Sequence, residues 1–421
     1  MKVLQVSTGF DISFNGGIPN YVRNLSETLI KKNVDVTVLY SQDNGLDKNY
    51  SYKLINFKPI LRPFHLSSVV ENKDIKKLEK IIIEQSPDII HIHMMIDLPL
   101  NFIKLALKYS KVIISLHDYS HICNRIVFVK RDGSICENSN QNIDCNLCIK
   151  QYETINNRYI RKICKIFDKH FQKDKIAPSD GHHQKYLISK QLFNSVDALI
   201  AVSNRVKEIY LNNGINNSNF IVNHIGSYTA DETFRKQFIE RPFLSKDQII
   251  KFGFIGSLNY IKGVDIFFQL IDKSKHEFHI YGVVNDKIKE RLKQYPNVFY
   301  HGKYFHEELA DILKNIEIGL VLPIWEDNAP QVVFEFLNAR IPIIGTKKGG
   351  LPDFINDSNG ILFDNSKHDI DRIKHFINSD DIINFYNKII NNFSSTKSPT
   401  QHADEIIKLY DIVLSKNSVI V

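Results

Sequence analysis

The chain has 421 residues, of which 43% are apolar and 24% charged, a length that suggests two or three domains at about 100–200 residues each. This composition excludes a disordered tail, a collagen-like repeat and a disulfide-dense mini-protein. The net charge of +7 suits anionic substrates or an anionic membrane face, but without a nucleic-acid-binding signature nucleic acid is not an expected partner.

The start, MKVLQVSTGF, lacks the basic, apolar and small-residue zones of a signal peptide. No apolar run reaches the ~20 residues needed to span a bilayer, so a cytoplasmic protein is expected. The first predicted strand is Lys2–Ser7, followed by Gly16-Gly17 and a helical stretch over Pro19–Lys32. Further short β-rich runs follow at Asp35–Tyr40, Ile89–Met94, Val112–His117 and Ala198–Ser203. Strands that are apolar throughout and separated by helices indicate a parallel sheet covered on both faces, here a doubly wound α/β domain.

Residues 119–186 interrupt this domain as an insertion holding Cys123, Cys136, Cys145 and Cys148, then a basic aromatic segment. A polar linker is read over 227–248, with Pro242 inside it. The strand pattern restarts at Lys251–Ser257, Glu277–Gly282, Val298–Lys303, Ile318–Pro323 and Pro342–Thr346. The expected organisation is therefore an N-terminal domain over 1–226, a second α/β domain over 249–400, and a C-terminal amphipathic helix in 401–421 that packs back on the first. Two such domains facing a cleft place functional residues just after strands.

Several candidates sit there. Gly16 and Gly17 let a backbone approach a phosphate at a helix start, though the same pair serves a plain tight turn. His117, at the end of its strand, reads either as a ligand-orienting side chain or as a satisfied structural histidine. His93 is the weaker candidate on the preceding strand, and His91 reads as structural. Gly256 and Ser257 precede Lys262, a cation able to meet a diphosphate or simply a solvated loop lysine. Glu326 and Asp327 precede Ala329, Pro330 and Gln331 at a helix start, and Glu335 follows just over a turn into that helix, among residues too apolar for a solvated carboxylate. Gly349 and Gly350 form another glycine turn after a strand.

In order and spacing these pieces resemble the retaining glycosyltransferases of family 4, which have the GT-B fold of two Rossmann-like domains. The most specific part is WEDNAPQVVFEFLNARIPIIGTKKGGLPDFI (325–355), which resembles the family's Glu-x7-Glu segment and the glycine turn after it. KFGFIGSLNYIKGVD (251–265), IISLHDY (113–119), AVSNRVKEIY (201–210) and VNHIGS (222–227) resemble further family segments. The resemblance implies transfer of a hexosyl unit from a nucleoside-diphosphate sugar to a hydroxyl with retention of configuration, without a catalytic metal. It implies that Gly16 and Gly17 line the diphosphate and acceptor side of the N-terminal domain, and that His117 contacts the donor sugar. Lys262 neutralises the leaving diphosphate, Asp327 binds sugar hydroxyls and Glu335 the ribose. The backbone around Ala329–Gln331 holds sugar and phosphate. The first acid of the family's pair is here Asp327, with Glu326 adjacent, and an arginine common in the family is replaced by Ser257.

The cysteines read C-x12-C-x8-C-x2-C, which is open to a structural zinc on all four, to reduced thiols or to redox use. Asp369-Ile370-Asp371 matches a DxD pattern but lies away from any strand end, and Tyr159–Phe171 reads as a basic amphipathic helix, either membrane-facing or packed on its own domain. The expected acceptor is a glycan or lipid-linked glycan at the inner membrane face, in bacterial surface polysaccharide or O-antigen assembly, with peripheral membrane association. The competing readings are a non-catalytic GT-B accessory subunit and a sugar-nucleotide epimerase.

Overall fold

The structure is a computed structural model. It describes residues 1–8, 17–41, 50–57, 73–95, 98–123, 125–130, 133–136, 148, 180–238, 240–390, 393 and 395–416. The chain divides into two compact units, Met1–His224 with His402–Val421, and Ile225–Gln401.

The first unit is built on seven strands: β1 Lys2–Thr8, β2 Asp35–Ser41, β3 Lys53–Asn56, β4 Ile89–Ile92, β5 Lys111–Leu116, β6 Ala198–Ala201 and β7 Phe220–Val222. Their order in the sheet is β3-β2-β1-β4-β5-β6-β7, and every pair is parallel. Strands β4 and β6 are buried at every residue, as helices on both faces of a parallel sheet require. Helix Gly17–Lys31 buries Tyr21, Val22, Leu25 and Leu29, which recur at helical spacing on one face. It is followed by Asn33 in the left-handed region at φ 61°.

The C-terminal helix, Pro399–Ser415, belongs to this first unit from His402 onward. Its start is a capping box. The Gln401 N–H donates to Ser398 Oγ at 3.2 Å, and the Ser398 N–H donates to Gln401 Oε1 at 3.0 Å. Pro399 occupies the first helical position, where its missing N–H costs nothing. The buried face is His402, Ala403, Ile406, Leu409, Tyr410 and Val413.

The second unit carries β8 Lys251–Ile255, β9 Glu277–Tyr281, β10 Val298–Gly302, β11 Ile318–Val321, β12 Ile343–Thr346 and β13 Gly360–Phe363. The order is β10-β9-β8-β11-β12-β13, again all parallel. Alternation along the strands feeds two cores, one on each face. Phe252, Phe278 and Leu320 lie in one, Ile255, Val321 and Ile343 in the other. Both units are α/β with doubly wound parallel sheets.

The 227–248 stretch contains short helical turns at Tyr228–Ala230, Glu232–Arg235 and Lys236–Phe238. It is fastened to the second unit. The Arg241 guanidinium donates to the carbonyls of Ala339, Ile316 and Leu313 at 3.1, 2.6 and 2.8 Å. Among the described residues no helix is long and apolar enough to cross a membrane.

Candidate active site

In the second sheet the strand order reverses between β8 and β11. Ligands of open α/β sheets bind beyond the carboxyl ends of the strands at such a point. The loops leaving these two strands carry the groups singled out in the sequence. After β8 the Lys262 N–H donates to Asn259 Oδ1 at 3.1 Å. Gly263 then caps helix Val264–Ile271 at φ 82°. A Cβ on Gly263 would lie 1.9 Å from the Leu322 carbonyl oxygen, so only glycine lets this loop settle onto the chain that follows β11. The Lys262 ammonium forms an ion pair with Asp327 Oδ2 and lies 5.7 Å from the Trp325 ring centroid.

Asp327 is 7% exposed and is held from its backbone as well. Its N–H donates to the Trp325 carbonyl at 2.9 Å, and its own carbonyl accepts from the Gly350 N–H at 2.7 Å. Gly349, at φ 56°, passes so close that a Cβ there would sit 2.0 Å from the Asp327 carbonyl oxygen. The neighbouring carboxylate has a different task, because Glu326 Oε2 accepts from the Gly349 N–H at 3.0 Å. The structure thus places Asp327 against the cation and Glu326 on the glycine turn.

Pro330 stands at the N-cap of helix Gln331–Asn338, one residue before the first turn in which the sequence suggested it. Ala329 and Gln331 flank it, half-buried. Glu335 lies on the same helix between buried Phe334 and Phe336. Burial pushes its carboxyl up to about 7. Burial first and the Glu335 charge second also raise the phenols of Tyr228 and Tyr304. Tyr228 in turn packs on His306, with ring centroids 4.4 Å apart and its hydroxyl 3.4 Å from Nδ1. Sequence reasoning missed Tyr228, Tyr304 and His306. For Tyr304 a signal was present, since it lies two residues after the end of β10. At the end of β8 the Gly256 N–H donates to the Tyr281 carbonyl at 2.8 Å, and Ser257 after it is exposed.

In the first unit, Gly17 is the exposed first residue of its helix, and Gly16 lies outside the described residues. His117 is half-buried just after β5, its ring 4.6 Å from Tyr21 and its Nε2 3.4 Å from His93 Nδ1. Burial lowers its pKa to about 3, so the ring is neutral. His93, Gln5, His91, Ser115, Tyr410 and His402 form a buried polar set beside it. Tyr21 OH is 2.7 Å from His402 Nε2, and His402 Nδ1 is 3.0 Å from Asn223 Oδ1.

Cys123, Cys136 and Cys148 are half-buried, while Cys145 lies outside the described residues. Burial is the main cause that raises the Cys123 thiol, with smaller additions from Cys136 and Cys148. Among the described residues no group of three His, Cys, Asp or Glu side chains is placed to hold a metal ion. Asp369, in the first turn of helix Lys367–Ile377, accepts from the Arg372 guanidinium at 3.1 Å and from the Asp364 N–H at 3.2 Å, while its own N–H donates to the N-cap Ser366. The Tyr159–Phe171 segment lies outside the described residues.

Comparison with known proteins agrees with this geometry. Residues 15–226 match the model of Glycosyltransferase Family 4, and residues 250–379 match that of Glycosyl transferases group 1. The chain is 24% identical to an uncharacterized 42.6 kDa protein in the cps region of Klebsiella pneumoniae, over 90% of this chain and 94% of that one. A glycosyltransferase from Rickettsia africae superposes with a TM-score of 0.64 at 15% identity, covering 99% of each chain. Anabaena HepE, solved in complex with UDP and glucose, gives 0.62 at 11% identity, covering 98% of this chain and 100% of that one. These likenesses identify the two doubly wound units as the GT-B fold. The chain is a glycosyltransferase and belongs to glycosyltransferase family 4.

Proposed function

We propose that this enzyme transfers a hexosyl unit from a nucleoside-diphosphate sugar to a hydroxyl of a glycan or lipid-linked glycan, with retention of configuration. The observation that carries the reading is the Lys262–Asp327 pair at the switch point of the second sheet. A cation held there by a buried carboxylate meets the position where diphosphate charge develops as the sugar C1–O bond breaks. Lys262 stabilises that leaving anion. Asp327 binds sugar hydroxyls, with the backbone of Ala329, Pro330 and Gln331 presenting N–H and carbonyl groups beside it. Glu335, lifted to about 7, accepts from ribose hydroxyls, and their hydrogen bonds favour its ionised form.

In the first unit Gly16 and Gly17 line the diphosphate and acceptor side, and His117 contacts the donor sugar. The acceptor oxygen attacks C1 from the face that the diphosphate leaves. Its proton passes to the departing phosphate oxygen, so no protein nucleophile is needed. Enzymes of this family generally work without a metal ion. The likeness to a protein in the cps region supports a role in bacterial surface polysaccharide or O-antigen assembly, in the cytoplasm and peripheral to the inner membrane.

A panel of sugar nucleotides, scored by thermal shift and by slow donor hydrolysis, tests it. A ligand bound to the folded state raises the melting temperature by mass action. The expected result is one donor that gives both signals, each lost in Lys262→Ala and Glu335→Ala. No shift with any donor would overturn the reading in favour of a non-catalytic subunit, and solvent deuterium appearing in the sugar would favour an epimerase.

A further inference from the structure

One face of the first sheet turns polar where its strands end. Gln5 pairs in register with His91, and His91 with Ile113, two residues before Ser115. Since alternate residues of a strand share a face, Gln5, His91, His93, Ser115 and His117 all point to one side. Tyr410 of the C-terminal helix reaches that side. Its hydroxyl lies 2.7 Å from His91 Nδ1 and 3.2 Å from Gln5 Nε2. Gln5 Oε1 is hydrogen-bonded to His93 Nε2, His93 Nδ1 is 3.4 Å from His117 Nε2, and His91 Nε2 is 2.8 Å from Ser115 Oγ.

Chemistry gives this chain a direction. An amide donates only through its nitrogen and accepts only through its oxygen. Gln5 Nε2 therefore donates to the Tyr410 oxygen. Gln5 Oε1 accepts, so the His93 proton sits on Nε2. A neutral imidazole carries one proton, so His93 Nδ1 is an acceptor and the hydrogen between the two rings comes from His117 Nε2. Burial keeps His91, His93 and His117 neutral, which the directional chain requires.

We infer that Tyr410 and Gln5 are positioning residues that act through His93 to fix His117 as its Nε2–H tautomer, with Nδ1 as the hydrogen-bond acceptor. An acceptor nitrogen meets a sugar hydroxyl and disfavours a second acceptor such as a phosphate oxygen. This role in transfer rests on the proposed contact of His117 with the donor sugar. The C-terminal helix then does more than bury apolar surface, because it supplies the phenol at the head of the chain.

Nitrogen NMR of the histidine-labelled full chain, without ligand, reads the tautomer directly. The expected spectrum has His117 protonated on Nε2, and Tyr410→Phe converts it to a mixture of tautomers. In steady-state assays Tyr410→Phe raises KM for the donor about fivefold, the order set by one hydrogen bond, with kcat nearly unchanged. A purely structural loss would lower kcat through the active fraction and leave KM alone. A wild-type His117 protonated on Nδ1 overturns the inference without recourse to any variant. So does a Tyr410→Phe spectrum in which His117 stays wholly Nε2–H. If the tautomer is as inferred but no sugar nucleotide binds, the chain stands and only the donor reading of His117 falls.

Discussion

Glu335→Gln removes one ionisable group from the second unit while keeping its shape. Desolvation of this half-buried side chain lifts the carboxyl from 4.5 to about 7. Between those values the folded chain holds a proton that the unfolded chain has released. Stability therefore falls as pH rises through the interval and stays lower above it. At about 1.4 kcal/mol for each pH unit of displacement, the wild-type chain loses about 3 kcal/mol. The glutamine variant does not titrate there, and all other ionisable groups are shared. Denaturant unfolding of both chains across this range, monitored through Trp325 in the second unit, isolates the contribution. The two unfolding free energies should agree at the acid end. Above neutral pH the variant should be the more stable by about 3 kcal/mol, the price of a desolvated carboxylate removed. Parallel curves over the whole range would refute the burial of Glu335. A nucleotide whose ribose hydroxyls donate to the carboxylate should flatten the wild-type curve by favouring the charged form.

Three further outcomes follow from the geometry. Lys262→Ala should lower kcat on the order of a hundredfold to a thousandfold, since it deletes the cation at the leaving group; a loss confined to KM in steady-state assays would argue against that role. Gly349→Ala forces a Cβ to within 2.0 Å of the Asp327 carbonyl at φ 56°. It should lower the stability of the second unit by about 2 kcal/mol or more and weaken donor binding with it, and a wild-type melting temperature would contradict the close approach. His402→Leu takes a buried hydrogen-bond partner from both Tyr21 and Asn223. It should cost about 2 kcal/mol in denaturant unfolding, and an unchanged midpoint would show that the C-terminal helix docks through its apolar face alone.

The sheet strands were legible where burial on both faces makes a strand read as a short apolar run. Lys251–Ile255 and Ile318–Val321 are such cases, and observed limits differ from predicted ones by at most two residues. Lys53–Asn56 escaped because it is an edge strand with exposed ends and only two apolar residues. Phe220–Val222 and Gly360–Phe363 escaped because three or four residues give too short a run to stand out. Of the site, the strand-end rule singled out Lys262 and Asp327, which the structure joins in an ion pair. Spacing to Glu335 pointed to Asp327, with Glu326 as an adjacent substitute; the different tasks of the two carboxylates became visible only where Lys262 and the Gly349-Gly350 turn meet the loop. The residues behind His117 were hidden for a related reason. Gln5 and Tyr410 are 405 positions apart, and only the return of the C-terminal helix brings them together. Its predicted start at 401 fell two residues late, because the capping box of Ser398 and Gln401 with Pro399 at the first helical position went unread.

The anomeric configuration of the first sugar released tests the central claim most directly. The purified enzyme would be given its donor, and the anomeric proton of the nascent sugar followed by NMR before mutarotation. Retaining transfer from a nucleoside-diphosphate sugar predicts the donor's own anomer at first, and no release in Lys262→Ala. Release of the opposite anomer would contradict it, as would release that persists unchanged in Lys262→Ala.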